Sequence, residues 1–151
     1  MITLLIVMTG VMAGIYFAFS VFIMKSFAEL PLLQAAQAMN KINDVITKTL
    51  FLPVFFISTL GYAGLMLWSL LDWQQGSSGL MVVAALVYIV GMFAVTTFGN
   101  VPLNNQLKQS EVSETALTSY WKIYLRKWPR LNHWRTVSCT AACALLILAE
   151  A

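Results

Sequence analysis

Long apolar runs are the feature that most constrains this chain. Three of them occupy residues 2–24, 50–71 and 79–99, and a fourth extends to 149 if its helix begins at Asn132. Each then approaches the roughly 20 residues that an α-helix needs to cross a bilayer. Only 10% of the 151 residues are charged and 60% are hydrophobic, whereas a soluble domain is about a quarter charged. The sequence therefore predicts one domain over residues 1–151, an all-α integral membrane four-helix bundle with membrane helices at 2–24, 50–71, 79–99 and 132–149.

The basic residues predict how this bundle is oriented. None lies at the termini or in the 72–78 turn. All lie between the first and second runs, or between the third run and the first turn of the fourth: Lys25, Lys41, Lys48, Lys108, Lys122, Arg126, Lys127, Arg130 and Arg135. Because positive loops stay in the cytoplasm, we expect a bacterial inner-membrane protein with both termini outside and both long loops cytoplasmic. The first run is too long for a cleaved signal peptide and lacks its basic start, so we expect it to be retained. The net positive charge then indicates contact with anionic membrane lipid and no nucleic-acid partner.

Two segments between the runs are predicted to form amphipathic helices at the cytoplasmic interface, at residues 31–48 and 112–128. In the first, Asn43 falls on the apolar face, so we expect it to be buried and hydrogen-bonded to segment 100–105. In the second, Ser113 is suited to cap the helix, and one face carries Leu117, Trp121, Tyr124 and Trp128. Anchoring at the interface would by itself explain these tryptophans.

Small and polar residues in the first run predict close helix contacts. Gly10 and Gly14 are spaced for tight packing, either against another helix of the chain or against a second copy in a homo-oligomer. Tyr16 and Ser20 fall on one seam with Thr9, where they either hydrogen-bond between helices or line a ligand site.

Polar side chains from all four membrane segments are expected to meet at the cytoplasmic end of the bundle. Pro102 is predicted to end the third membrane helix at Val101, and Pro129 to end the second amphipathic helix just before the fourth begins. A pocket there would have polar groups and an aromatic wall. Its predicted members are Tyr16, Ser20, Asn43, Asn100, Asn104, Trp121, Tyr124, Trp128, Asn132, His133 and Arg135.

Arg135 and His133 are the candidates for chemistry in this pocket. A cation in the first turn of a helix opposes the helix dipole, so Arg135 either reaches out to the headgroups or binds an anion or a developing oxyanion. His133 is the one side chain of this region that ordinarily titrates near neutral pH. The sequence shows no spacing of metal ligands and no phosphate loop, so we expect acid–base and electrostatic catalysis without metal or cofactor.

The spacing N-x-P-x-N at Asn100, Pro102 and Asn104, followed by W-x(6)-W-x(3)-N-x-x-R from Trp121 to Arg135, resembles the anthrone-oxygenase-like family. These are small four-helix membrane proteins, mostly bacterial and uncharacterised, and their fungal members oxidise polycyclic anthrones to anthraquinones without a cofactor. The resemblance implies an enolate that reacts directly with O2 in an apolar site.

For the mechanism that the resemblance implies, His133, which lies between the motif positions, is the candidate base. Arg135, with Asn100 or Asn104, would stabilise the enolate oxygen, and Trp121 and Trp128 would stack on the ring. The alternative is a protein without catalysis, which either binds lipid or quinone-like molecules or serves as a small subunit of a larger assembly.

Overall fold

The computed structural model describes residues 2–151, and within them the chain is all-α, with five helices and no strand. They are α1 (Ile2–Glu29), α2 (Leu32–Ile46), α3 (Phe51–Leu71), α4 (Ser78–Ser110) and α5 (Glu114–Glu150). Helices α1, α3 and α4 are long and apolar enough to cross a membrane. The all-α prediction is therefore confirmed, and so are three of the four predicted membrane-length helices.

The buried apolar side chains form two clusters, which follow one another along the helix axes. The larger one lies between α1, α3, α4 and the second half of α5, and Tyr62 and Tyr88 stack within it with ring centroids 4.2 Å apart. The smaller one joins the end of α1, α2, the last turns of α4 and the first half of α5. Many apolar side chains point outward from α1, α3 and α4, which suits a lipid surrounding better than water.

The seam predicted on the first helix contacts other helices of the same chain. Thr9 Oγ1 lies 3.0 Å from Tyr62 Oη, and Ser20 Oγ lies 3.1 Å from Thr136 Oγ1. Gly10 and Gly14 are exposed, and no described residue lies where their side chains would be. Gly91 is the glycine that allows a close approach, because an added Cβ would collide with Ser138 Oγ on α5.

The prediction that Pro129 ends a helix is wrong, because α5 is one helix of 37 residues with Pro129 in its interior. Pro129 removes one backbone hydrogen bond and costs about 3 kcal/mol in a helix interior. The buried residues nonetheless recur every three or four positions on both sides of it: Leu117, Trp121, Tyr124, Trp128, Asn132, Arg135, Cys139, Ala142 and Leu146. Burying that continuous stripe outweighs the penalty.

The prediction that the third membrane helix ends at Val101 is also wrong, because α4 continues to Ser110. A wider π-helical turn occupies Thr96–Asn100, directly before the α-helical segment in which Pro102 is the second residue. The missing N–H of Pro102 therefore falls at the junction of two hydrogen-bond registers and not inside a regular α-helix. Two further π turns lie at Phe19–Ile23 in α1 and Ile89–Ala94 in α4.

Candidate functional site

A cavity of about 500 Å³ lies where the two apolar clusters meet, within the range of roughly 300–1,000 Å³ typical of ligand sites. All five helices contribute to its wall. The larger part of the wall is apolar, with Phe19, Phe51, Phe55 and Phe93 among its side chains. The π turns of α4 lie beside it, and Phe93, Thr96, Thr97 and Asn100 from those turns line it.

Arg135 is the buried cation of the cavity wall, and it is 5% exposed. Its guanidinium carbon lies 4.2 Å from the centre of the Tyr16 ring and 5.2 Å from that of Trp128. Its Nη2 donates to Asn132 Oδ1 at 2.6 Å, whereas its Nε has no hydrogen-bond partner. Within residues 2–151 no carboxylate forms an ion pair with it, since the ion pair found there joins Lys108 and Asp44.

The balance of energies leaves the charge of Arg135 incompletely compensated. Two cation–π contacts contribute about 0.5–2 kcal/mol each, whereas removing an ion from water costs several kcal/mol. The rings and one amide oxygen therefore leave this cation under-compensated. An oxygen atom that carries negative charge in the cavity would supply the missing partner.

Asn100 offers a second polar group beside Arg135, and its side chain is 1% exposed. Its Nδ2 donates to the backbone oxygen of Trp128 at 3.3 Å, which ties α4 to α5. Its Oδ1 has no hydrogen-bond partner although it is buried. Buried amide groups are nearly always paired, so one end of this amide is left for a ligand or for water.

Asn104 is the centre of a hydrogen-bond network that fixes the other side of the cavity. Its Nδ2 donates to Asn43 Oδ1 at 3.1 Å, and its Oδ1 accepts from Tyr124 Oη at 2.8 Å and from Trp128 Nε1 at 2.9 Å. The predicted hydrogen bond between Asn43 and segment 100–105 is thus confirmed, although Asn43 is half-buried. Burial raises the pKa of the Tyr124 phenol well above its ordinary value, so this hydroxyl remains a donor.

The aromatic residues of α5 form a stack that ends at the cavity. Trp121 and Tyr124 are stacked with centroids 5.5 Å apart, and Tyr124 and Trp128 with centroids 6.0 Å apart. Trp128 lines the cavity, whereas Trp121 and Tyr124 lie behind it and support it. Only one of the three rings is therefore placed to touch a ligand.

Six of the residues expected to form the pocket line the cavity: Tyr16, Asn43, Asn100, Asn104, Trp128 and Arg135. Asn132 and Ser20 do not line it. Asn132 contacts Arg135 on the side away from the cavity, and Ser20 contacts Asn132. Asn132 Nδ2 donates to the Tyr16 backbone oxygen and to Ser20 Oγ, both at 2.7 Å, while its Oδ1 accepts from Arg135. Asn132 therefore holds the guanidinium in place without reaching the cavity.

His133, the expected base, is exposed and does not line the cavity. It lies two residues before Arg135, so the two side chains point roughly 160° apart around α5. Because Pro129 does not end the helix, the residues around Asn132 are not a loose first turn in which His133 could face inward. The structure gives it no contact with the proposed chemistry.

Several residues of the cavity were not anticipated from the sequence. Asp44 lies on its rim, where Lys108 Nζ donates to Asp44 Oδ1 at 2.7 Å and holds the pKa of that carboxyl below its ordinary value. Asn40, also in the wall, donates to Glu111 Oε1 at 2.8 Å. The four-residue spacing of Phe51 and Phe55 could have revealed that they share a face. Phe93 points inward because it lies in a π turn. The spacing of apolar residues along the sequence does not reveal such a turn.

The fold and the cavity define a class: a small all-α protein with membrane-length apolar helices and a ligand-sized cavity at one end of them. A family model described as anthrone oxygenase matches residues 43–145, about two thirds of the chain. The chain belongs to the anthrone oxygenase family, and the matched range includes Asn100, Asn104, Trp128 and Arg135. No curated protein and no solved structure matches it.

Proposed function

We propose that the cavity binds a flat aromatic ketone and promotes its oxidation by O2 without a cofactor, with Arg135 stabilising the enolate. The observation that carries this proposal is a buried guanidinium, without a carboxylate partner, in the wall of an aromatic-lined cavity. Membership of the anthrone oxygenase family supports an oxygenase-like activity. Asn100 would act as the second polar contact with the ketone oxygen.

The reaction balances with the groups available. The ring compound loses a proton from a CH2 group conjugated with its carbonyl, and the negative charge rests on the oxygen beside Arg135. The proton leaves to solvent at the rim where Asp44 lies. The carbon then gives electrons to O2 and forms a C–O bond, and protonation yields a hydroperoxide. Loss of water leaves a second carbonyl, so one oxygen atom enters the product and the other becomes water.

The proposal includes a membrane arrangement in which the second half of α5 is the fourth membrane-crossing segment. Its outward side chains are apolar, with Trp134, Val137, Ile147 and Leu148 all more than half exposed. Helix α2 and the first half of α5 would then lie at the cytoplasmic face of a bacterial inner membrane, with both termini outside. The exposed Lys122, Arg126, Lys127 and Arg130 would face the lipid headgroups.

The test is oxygen uptake by purified protein in lipid nanodiscs supplied with an anthrone. We expect Arg135→Gln to lower kcat by about 10²–10³-fold, because it removes a donor from the developing oxyanion. Arg130→Gln is the matched control, since Arg130 is an exposed arginine of the same helix. Wild-type protein no faster than empty nanodiscs would overturn the anthrone assignment. Binding of the ring compound without oxidation would instead support the non-catalytic alternative.

A further inference from the structure

Helices α3 and α4 diverge beside the cavity. Helix α3 packs against α4 along residues 78–94, and no comparable packing joins α3 to residues 96–110 among those described. That lower part of α4 packs on α5, and its last ten residues also contact α2. The cavity fills the resulting gap between the first turns of α3 and the last turns of α4.

The edges of this gap are uncharged, mostly apolar and open to the outside. On α3 they are Leu52 and Phe56, and on α4 they are Thr97 and Val101, all of which line the cavity. Phe56 is 48% exposed and Val101 is 42% exposed. Both residues belong to helices that are long and apolar enough to cross a membrane. Around the opening the outer surface continues as exposed apolar side chains, among them Leu60 and Phe98.

The rim of the cavity beside α2 is polar and charged. It is bordered by Thr47, Asn105 and the ion pair between Asp44 and Lys108. The ion pair bridges α2 and α4 at 2.7 Å, across the edge that would face water. A polar ligand would meet charged groups there, whereas an apolar ligand would meet none at the gap between α3 and α4.

We propose that the ligand enters sideways from the lipid phase, through the gap between α3 and α4, as a neutral lipophilic ring compound. This inference rests on the proposed function, because it concerns the substrate of the same cavity. A neutral ketone partitions into lipid, whereas its enolate would not, so ionisation follows entry and takes place beside Arg135. The substrate class is therefore narrowed to ring compounds that dissolve in the membrane in their protonated form.

The test uses variants that each narrow one of the two openings of the cavity, the gap between α3 and α4 or the rim beside α2. It measures binding of 1,8-dihydroxyanthraquinone, a ring compound that O2 does not oxidise. Thr97→Phe narrows the lateral gap, and Thr47→Phe, the matched variant, narrows the rim beside the ion pair; both threonines are exposed and line the cavity. Stopped-flow quenching of tryptophan fluorescence in nanodiscs gives the association and dissociation rates. Val101→Phe repeats the lateral test in case Thr97→Phe does not fold.

We expect Thr97→Phe to slow association by about tenfold, because every ligand molecule that enters must pass the narrowed gap. Thr47→Phe should slow association much less than Thr97→Phe does. Unchanged association rates in both Thr97→Phe and Val101→Phe, or stronger slowing by Thr47→Phe, would overturn lateral entry. Since the probe is not oxidised, that result is separate from failure of the oxygen-uptake test, which would overturn the reaction.

Discussion

Arg135 and Asn104 show two different uses of a buried polar side chain. Arg135 lacks a partner for Nε and lines the cavity, and the proposed function assigns its position to ligand binding. Asn104 instead donates to Asn43 Oδ1 and accepts from Tyr124 and Trp128, so its position is explained by the fold. The sequence placed both at the same end of the helices, but it did not separate the two roles.

Asn104→Leu should destabilise the protein, because Tyr124 Oη and Trp128 Nε1 would lose their acceptor. Each buried polar group left unpaired costs about 1–3 kcal/mol. The measurement is the thermal unfolding midpoint in detergent, with Asn105→Leu as the control, since the neighbouring Asn105 is exposed and makes no side-chain hydrogen bond in residues 2–151. Equal midpoints for the two variants would contradict the role assigned to Asn104.

At the scale of the helix, α5 joins two environments in one rigid element. Its first half packs against α2 and the end of α1, and its second half lies in the larger apolar cluster. The capping of its start could be predicted, and Ser113 Oγ does accept from the Ala116 N–H at 3.2 Å. The passage through Pro129 could not be predicted from local proline preferences, because it depends on the burial of side chains on both sides of the proline.

Pro129→Ala should raise the unfolding midpoint, because it restores one backbone hydrogen bond in the middle of α5. The gain is bounded by the helix penalty of proline, about 3 kcal/mol. Pro53→Ala is the control and should change the midpoint little, since Pro53 is the third residue of α3, where backbone N–H groups have no helical partner. A fall in stability on Pro129→Ala would mean that the proline ring contributes packing that alanine cannot replace.

At the scale of the whole molecule, the two clusters and the cavity between them follow from where apolar and aromatic residues lie along the chain. The all-α class, the three membrane-length helices and six residues of the cavity wall could be predicted from the sequence. The π turns, the divergence of α3 from α4 and the outward position of His133 could not. Each of these depends on the hydrogen-bond register within a helix or on the packing between helices. The spacing of apolar residues along the sequence contains neither.

The proposed orientation is tested with reporter fusions after Ala151 and in the turn between α3 and α4, at residues 72–77. Both should report periplasmic exposure, because the nine basic residues lie in the other two connections or near them. A fusion between α4 and α5, at residues 111–113, should report the cytoplasm and serves as the control. A cytoplasmic result after Ala151 would mean that the second half of α5 does not cross the membrane.

The π turn at Thr96–Asn100 also changes how α4 should respond to the loss of a residue. A π turn holds about one residue more than an α turn, so deleting the exposed Phe98 would let the helix return to the regular α register. The residues before and after the turn would then keep their original faces, and Asn104 would still point toward Trp128. The same deletion in α5 between Trp128 and Arg135 removes a residue from a regular α-helix, so Arg135 would rotate by about 100° relative to Trp128. A one-codon deletion is therefore expected to damage the cavity less in this turn of α4 than in the facing part of α5.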